Sequence, residues 1–505
     1  MFNLDSFDQG LGNGQAATGF GSAEELLKAM EAGLSTGRDY TDQVHNGQGL
    51  KVESLDPVVK VLTNQLEHLR TWNMIPKQKI YNTVHEYNQL LKYGEEVGIF
   101  NLEGETPQFT DTQYRRKAAT TKFMGVGYQV SHPATLVKRA DGKDPLAVEV
   151  ENKTKLLLTQ INGLLSSADS TKVETQFDGF WRNHLVGIND IYGGISGKTS
   201  ETLLDNYHGD VAVIDARGGV LTDALVEGAA EVAVNERYGE ISHILSNPIV
   251  FSDYVKNFHE SKRVNVGYPG SVSNATMGQS VNDIQTQFGK IKVENDIFFD
   301  SRKPKKYNAA ATSDKAPVVP VKDVSTPIAV ATDTKTKFTD SAGSYFYAIT
   351  AKNRYGESAM VPINTTAQAV SATQSVQLKF AAGVGGYAAE SYVIYRTDVD
   401  VTPYTTANYY PLFEVSVAEL ASGYDGATGA GYVKDRNLYL ANTHSAIVFY
   451  NGAEYWEYLQ LAPTMRMDFA TTSPSYRGSI LNYGTPVWYA PGKMVRIINI
   501  GRNFS

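Results

Sequence analysis

The chain changes character near Ser301, and that change limits its architecture more than any other feature. Upstream, runs with helical spacing alternate with runs of period two. Downstream the helical spacing does not recur, and short alternating runs are separated by Gly, Pro and Asn. Such a chain must combine a mixed α+β body with an all-β unit, because each pattern buries a different kind of face. The break is Arg302-Lys303-Pro304-Lys305-Lys306 followed by Pro317, Pro320 and Pro327, which reads as a linker over 301–325. A small β-domain is expected over 326–434. The Tyr-rich stretch 435–505 has strand signals at 446–450, 487–489 and 494–500.

The upstream part begins with a Gly-, Gln- and Thr-rich stretch, 1–55, holding one short amphipathic piece capped by Ser22. It reads as an arm that orders against something else. Asp56-Pro57 opens a helix with Val58, Leu62, Leu66 and Leu69 at helical spacing. The polar segment that follows, 81–113, is interrupted by Gly94, Gly98 and Gly104 and reads as an extended excursion. Strict alternation returns at Lys122-Phe123-Met124-Gly125-Val126-Gly127-Tyr128-Gln129-Val130, which predicts a strand. Asp144-Pro145 starts a long helix over 145–165, with Val150, Leu157, Ile161 and Leu164 on one face. Val211 to Asp215 is a short strand, Thr222 caps another helix, and Ile241 to Leu245 is strand-like. Asn247-Pro248 is expected to turn, and Ser252 to cap a short helix after it.

Composition excludes several function classes. At 505 residues and 55.3 kDa there is room for about three domains at ~150 residues each. Hydrophobic residues at 42% and charged residues at 20% fit a folded chain. With no cysteine there are no disulfides, thiolate metal sites or cysteine nucleophiles. A net charge of −8 and a pI near 5.7 lack the basic footprint of a dedicated nucleic-acid binder. No run approaches the ~18 apolar residues of a membrane span. Met1-Phe2-Asn3-Leu4-Asp5 lacks the basic and apolar regions of a signal peptide, so a reducing cytoplasm is expected. The 30 Tyr suit either β-structure or surfaces that are both soluble and adhesive.

Motifs with chemistry are sparse. Gly193-Gly194-Ile195-Ser196-Gly197-Lys198-Thr199 imitates a phosphate loop, but three residues separate Gly193 from Gly197 where four are needed. The missing residue changes the ring of backbone N–H groups, so a surface turn is the stronger reading. The His residues are scattered; even His243 and His259 cannot share a helical turn, and no zinc-hydrolase spacing or nucleophile elbow occurs. Asp398-Val399-Asp400 lacks the remaining spacing of a calcium loop. Two basic runs, Arg115-Arg116-Lys117 and Arg302 to Lys306, offer contact with phosphate or with acidic patches such as Glu53 or Glu95-Glu96 on another copy. Charges that keep a loop solvated are the stronger reading of each run. No catalytic, cofactor-binding or metal-binding residue is expected.

The order of these elements resembles the major capsid proteins of tailed bacteriophages, with the Hong Kong 97-type shell fold. The carriers are the arm, the excursion at 81–113 in the place of that family's E-loop, the strand at Lys122 with Ser131-His132-Pro133, and the spine-like helix 145–165. To these are added the helix after Thr222, the strand at Ile241, Asn247-Pro248 and the helix through Tyr254. Ser344 to Ser358, Val376 to Phe380 and Ser391 to Arg396 are similar to strands of fibronectin type III or Ig-like domains, with Phe380 standing where a core Trp is usual. The resemblance implies an α+β capsid fold with peripheral and axial domains and an inserted all-β sandwich. It divides the chain into an arm 1–55, a capsid core 56–300, a linker 301–325, an Ig-like insertion 326–434 and a return to the core at 435–505. It implies self-assembly into hexamers and pentamers of an icosahedral shell around double-stranded DNA touched weakly and non-specifically. Portal, scaffolding or decoration proteins are the implied partners, with no cofactor, no enzymatic activity and no membrane. The competing readings are another phage structural protein of the tail or baseplate, and a surface adhesin, which the missing export signal disfavours.

Overall fold

A computed structural model describes residues 63, 65–94, 99–137, 142–184, 213–256, 282–300, 303–424, 427, 429–470 and 473–502. The arm, the start of the helix expected from Asp56, Glu95-Glu96, the run Gly193 to Thr199, His259 and Arg302 lie outside these residues; the described end of that expected helix is instead a 3-10 turn, Leu66–His68, and a separate short helix, Arg70–Met74. The elements described below belong to one compact unit, Thr63–Leu136 with Asp144–Ser505.

The long helix runs Pro145–Ser167. Asp144 caps it by accepting a hydrogen bond from the Leu146 amide at 3.0 Å, and Pro145 occupies a first-turn position where its missing N–H costs nothing. Leu157, Ile161 and Leu165 recur every four residues and are fully buried. Lys153–Glu149 and Lys155–Glu151 pairs, one turn apart, support the outer face by about 0.2–0.5 kcal/mol each. The buried stripe lies across a four-stranded sheet of order Lys77–Lys79, Trp456–Asp468, Ser475–Trp488, Lys122–Ser131. Leu157, Ile161 and Leu165 share one core with Tyr128, Phe180, Trp456, Trp488 and Ile480.

A polar knot ties this layer together. Asp296, fully buried, accepts hydrogen bonds from the Thr71 amide at 2.9 Å, the Thr71 hydroxyl at 2.6 Å and the Asn162 amide at 2.9 Å. Asn162 in turn accepts from the Trp72 amide at 2.8 Å. Three segments distant in sequence are thereby fixed by satisfied buried groups.

A second layer is a six-stranded sheet of order Val213–Asp215, Val495–Ile500, His444–Phe449, His243–Ser246, Gly289–Asn295, Asp283–Thr286. Helices Asp223–Glu231 and Pro248–Lys256 pack on it through Val226, Ala229, Val250, Phe251 and Tyr254. Thr222 caps the first helix as expected. The second helix begins earlier than expected. Asn247 accepts from the Ile249 amide at 3.1 Å, so Asn247-Pro248 is the helix start, and Ser252 lies inside the helix rather than at its cap.

The all-β unit is a sandwich. One sheet contains Tyr347–Asn353, Ser391–Arg396 and Asn408–Ser416; the other is built on Gln374–Ala381, paired with Ile328–Thr332 and Tyr432–Asp435. Ile349, Ala351, Tyr392 and Ile394 of the first meet Val376, Leu378, Phe380 and Val433 of the second. Phe380 meets Tyr392 edge-on at 5.3 Å. Arg396 and Asp435 form a fully buried ion pair at 2.7 Å, with Tyr347 donating to Asp435 at 2.9 Å and Arg396 donating to Asn437 at 2.6 Å.

Two elements differ from the sequence expectation. Lys305–Lys306 pairs with Asn408 and Tyr409, and Val321–Lys322 pairs with Phe380 and Ala381, so the stretch expected as a linker contributes strands to the sandwich. The C-terminal stretch also holds a long hairpin, Trp456–Asp468 with Ser475–Trp488, of which only 487–489 was expected. Register shifts at Ala462 break its alternation, which hides the strand from a period-two reading.

Candidate functional site

The excursion is a two-stranded hairpin. Val84–Lys92 pairs antiparallel with Gln113–Thr120 in a register that places Tyr87 opposite Lys117 and Gln89 opposite Arg115. Alternation gives it two faces. His85, Tyr87, Gln89, Arg115, Lys117 and Ala119 are half-buried, while Val84, Glu86, Leu90, Tyr114 and Arg116 face outward.

Among the described residues, the base of the hairpin is the part anchored to the body by packing. Ile80, Leu459 and Val487 form a small cluster, with Tyr87, Ala119 and Tyr489 packed around it. Tyr87 meets Tyr489 edge-on at 5.0 Å, and Gln89 donates to the Tyr489 carbonyl at 2.6 Å. Burial, reinforced by the Glu457 carboxylate, holds the Tyr489 phenol well above its usual range, so it stays a neutral donor to Glu457 at 3.2 Å.

The tip carries apolar side chains with nothing beneath them. Ile99 is 80% exposed, Phe100 93%, Leu102 80% and Phe109 86%. Tyr93 and Tyr114 extend the same exposed region down the stem. A turn at 102–105 closes the tip: the Glu105 amide donates to the Leu102 carbonyl at 3.0 Å, and Gly104 takes φ +83°, which favours glycine. Large clustered apolar exposure of this kind marks a contact surface, since isolated exposed side chains are ordinary but a group is costly in water. Sequence periodicity missed these residues, because apolar side chains in an aperiodic, Gly-interrupted segment belong to no helix or strand face.

The remaining motifs are structural. In the run Arg115-Arg116-Lys117, alternation sends Arg115 inward to Gln89 at 3.0 Å and Arg116 outward to an ion pair with Glu86. Lys305 pairs with Glu357 at 2.5 Å, and Lys306 donates to the Thr406 carbonyl at 3.2 Å, so both belong to the sandwich. Asp400 accepts from the amide of Ser344, in the distant strand Gly343–Tyr345, at 2.8 Å, and burial raises the Asp398 carboxyl. Val213–Asp215, the described end of the strand expected after the phosphate-loop imitation, is a sheet edge whose Asp215 accepts from Asn499 at 2.8 Å. Among the described residues no group of His, Asp and Glu is arranged to hold a metal ion, and no helix is long and apolar enough to cross a membrane.

Comparison with known proteins gives the frame for this surface. No curated protein sequence matches the chain. Similar solved structures include the holo-SrpI encapsulin complex from Synechococcus elongatus PCC 7942 (6% identity, 90% of this chain and 94% of the other, TM-score 0.41). The capsid asymmetric unit of cyanophage Pam1 (7%, 90% and 98%, 0.42) and a structure of Gordonia phage Cozz (9%, 90% and 92%, 0.41) are others. These likenesses are too distant to carry an argument. The family model for the SU10 major capsid protein matches residues 36–314, more than half of the chain and the whole stretch that builds the hairpin and the long helix. With a shell-forming structural role and a place in the virion thereby given, this chain belongs to the SU10 major capsid protein family.

Proposed function

We propose that the chain forms an icosahedral head from hexamers and pentamers of itself, assembled in the host cytoplasm around double-stranded DNA. The observation that carries this reading is the hairpin anchored at its base, with Ile99, Phe100, Leu102 and Phe109 exposed at its tip. A tip of this kind lowers its free energy by lying on a neighbouring copy, and the burial offsets the entropy of ordering it. Obligate contacts between copies bury roughly 2,000–5,000 Å² each.

The chain works by geometry rather than by turnover. Its acidic balance suits a container, because each phosphate contact would add salt-dependent affinity for the contents. The sandwich is an Ig-like or fibronectin type III-like module on the outer surface, since a compact domain entered and left by the chain does not fit between tightly packed subunits. Portal, scaffolding or decoration proteins complete the particle. Electron microscopy of the purified chain expressed with its assembly partners tests this reading. The full chain should give closed shells, and deletion of 95–107 should leave soluble subunits. Normal particles from the deletion would overturn it.

A further inference from the structure

The sandwich has a cleft at one end that the shell role does not use. It has a volume of about 530 Å³ and is walled mainly by Val321, Phe380, Ala382, Val417, Leu420 and Ala421. That size lies within the ~300–1,000 Å³ typical of small-molecule sites. Its lining is predominantly apolar; besides Asp323 and Lys379, which pair with each other at 3.0 Å, two polar groups break it.

The first is Tyr392. It is fully buried, lines the cleft, and its hydroxyl has no hydrogen-bond partner. A buried hydroxyl left unpaired is costly, and natural structures rarely keep one without reason. The second is Lys322. In the antiparallel register it lies directly opposite Phe380, and registered partners point to the same side of a sheet. Phe380 faces the sandwich interior against Tyr392, so Lys322 occupies an interior-facing position at the open end of the sheet. Its neighbours do not neutralise it. Asp323 is engaged by Lys379 at 3.0 Å, by the Ser325 hydroxyl at 2.8 Å and by the Thr326 amide at 2.9 Å, contacts that hold its carboxyl well below the usual range. Among the described residues Lys322 has no ion pair.

We propose that this cleft binds a small apolar carboxylate, a medium-chain fatty acid in kind, with its head on Lys322 and the Tyr392 hydroxyl and its chain along Phe380, Val417 and Leu420. Both polar groups donate to an ionised carboxylate, and charge-assisted bonds of this type are about twice as strong as neutral ones. The apolar walls supply the rest of the affinity by burial.

Calorimetric titration of the full-length protein with decanoate, decanol and decyltrimethylammonium tests the proposal. Decanoate should bind saturably at one site per chain, about tenfold or more tighter than decanol, and the cation should not bind there. Lys322→Met should weaken decanoate about tenfold and leave decanol unchanged, with Lys322→Arg restoring most of the loss. Tyr392→Phe should weaken decanoate several-fold while the melting temperature holds or rises, because the unpaired hydroxyl is gone. Equal binding of decanoate and decanol, decanoate binding that ignores Lys322→Met, or no saturable binding at all would overturn it.

Discussion

Asp296 and Arg396 show how single residues hold the two halves of this molecule. Asp296 receives three hydrogen bonds on one carboxylate oxygen and a fourth, from the Phe298 amide at 2.8 Å, on the other. Asp296→Ala leaves Thr71 and Asn162 with buried donors unmet, and should cost about 2–4 kcal/mol of core stability in chemical denaturation. In the sandwich, removing one partner of the Arg396–Asp435 pair strands a buried charge. Asp435→Ala should therefore destabilise by about 3–5 kcal/mol, while replacing both residues with apolar ones should recover most of that loss. Acid sensitivity is set by other carboxylates. Burial raises Asp333, but the Lys335 amide and the Arg436 guanidinium more than offset it and hold the carboxyl at about 2, below its usual 3.8. A depressed folded value means the contribution is complete above the unfolded value and disappears as pH falls through the folded one. The stability gap between the native chain and Asp333→Asn, followed by thermal melts, should be constant down to about pH 4 and close by about pH 2.

At the scale of elements, the two hairpins divide the labour. The C-terminal hairpin is core, and its glycines make room for aromatics. A side-chain carbon at Gly484 would meet the Tyr458 ring at 2.6 Å and the Leu459 carbonyl at 2.7 Å. Gly484→Val should therefore lower subunit stability by about 1–3 kcal/mol and reduce soluble yield. The excursion hairpin behaves in the opposite way. Phe100 and Phe109 touch little in the isolated chain, so the pair Phe100→Ser with Phe109→Ser should change the subunit's stability by no more than about 0.5 kcal/mol. The same change should abolish or sharply reduce closed particles in electron micrographs. A large fall in subunit stability would instead place those rings in the core.

For the whole molecule, the separability of the sandwich is the main consequence. Because Lys305–Lys306 and Val321–Lys322 are strands of it, a cut at 326–432 would strip both of their partners. Excision of 305–435 with a short Gly-Ser linker should preserve shells, whereas excision of 326–432 should aggregate through the orphaned edges. The two excised chains can be compared by sedimentation and microscopy. Particle loss from the wider excision would make the sandwich an integral shell contact.

The amino-acid sequence alone determined the features that depend on near neighbours. The helix start at Asp144, the buried positions Leu157 and Ile161, the alternating strand at Lys122 and the strand Ser391–Arg396 each carry their period and their punctuation within one segment, although the next buried position of the helix is Leu165 rather than the expected Leu164. Tertiary structure decided the rest. The meeting of Thr71, Asn162 and Asp296 spans up to 225 residues and leaves no local trace. The bulged strand Trp456–Asp468 is held by Tyr458 pairing with both Lys77 and Pro486, not by its own alternation. The contact surface at Ile99 to Phe109 became visible only once the hairpin was seen to pack at its base. An apolar residue declares its role by what it touches, and in an aperiodic segment that is set by the fold around it.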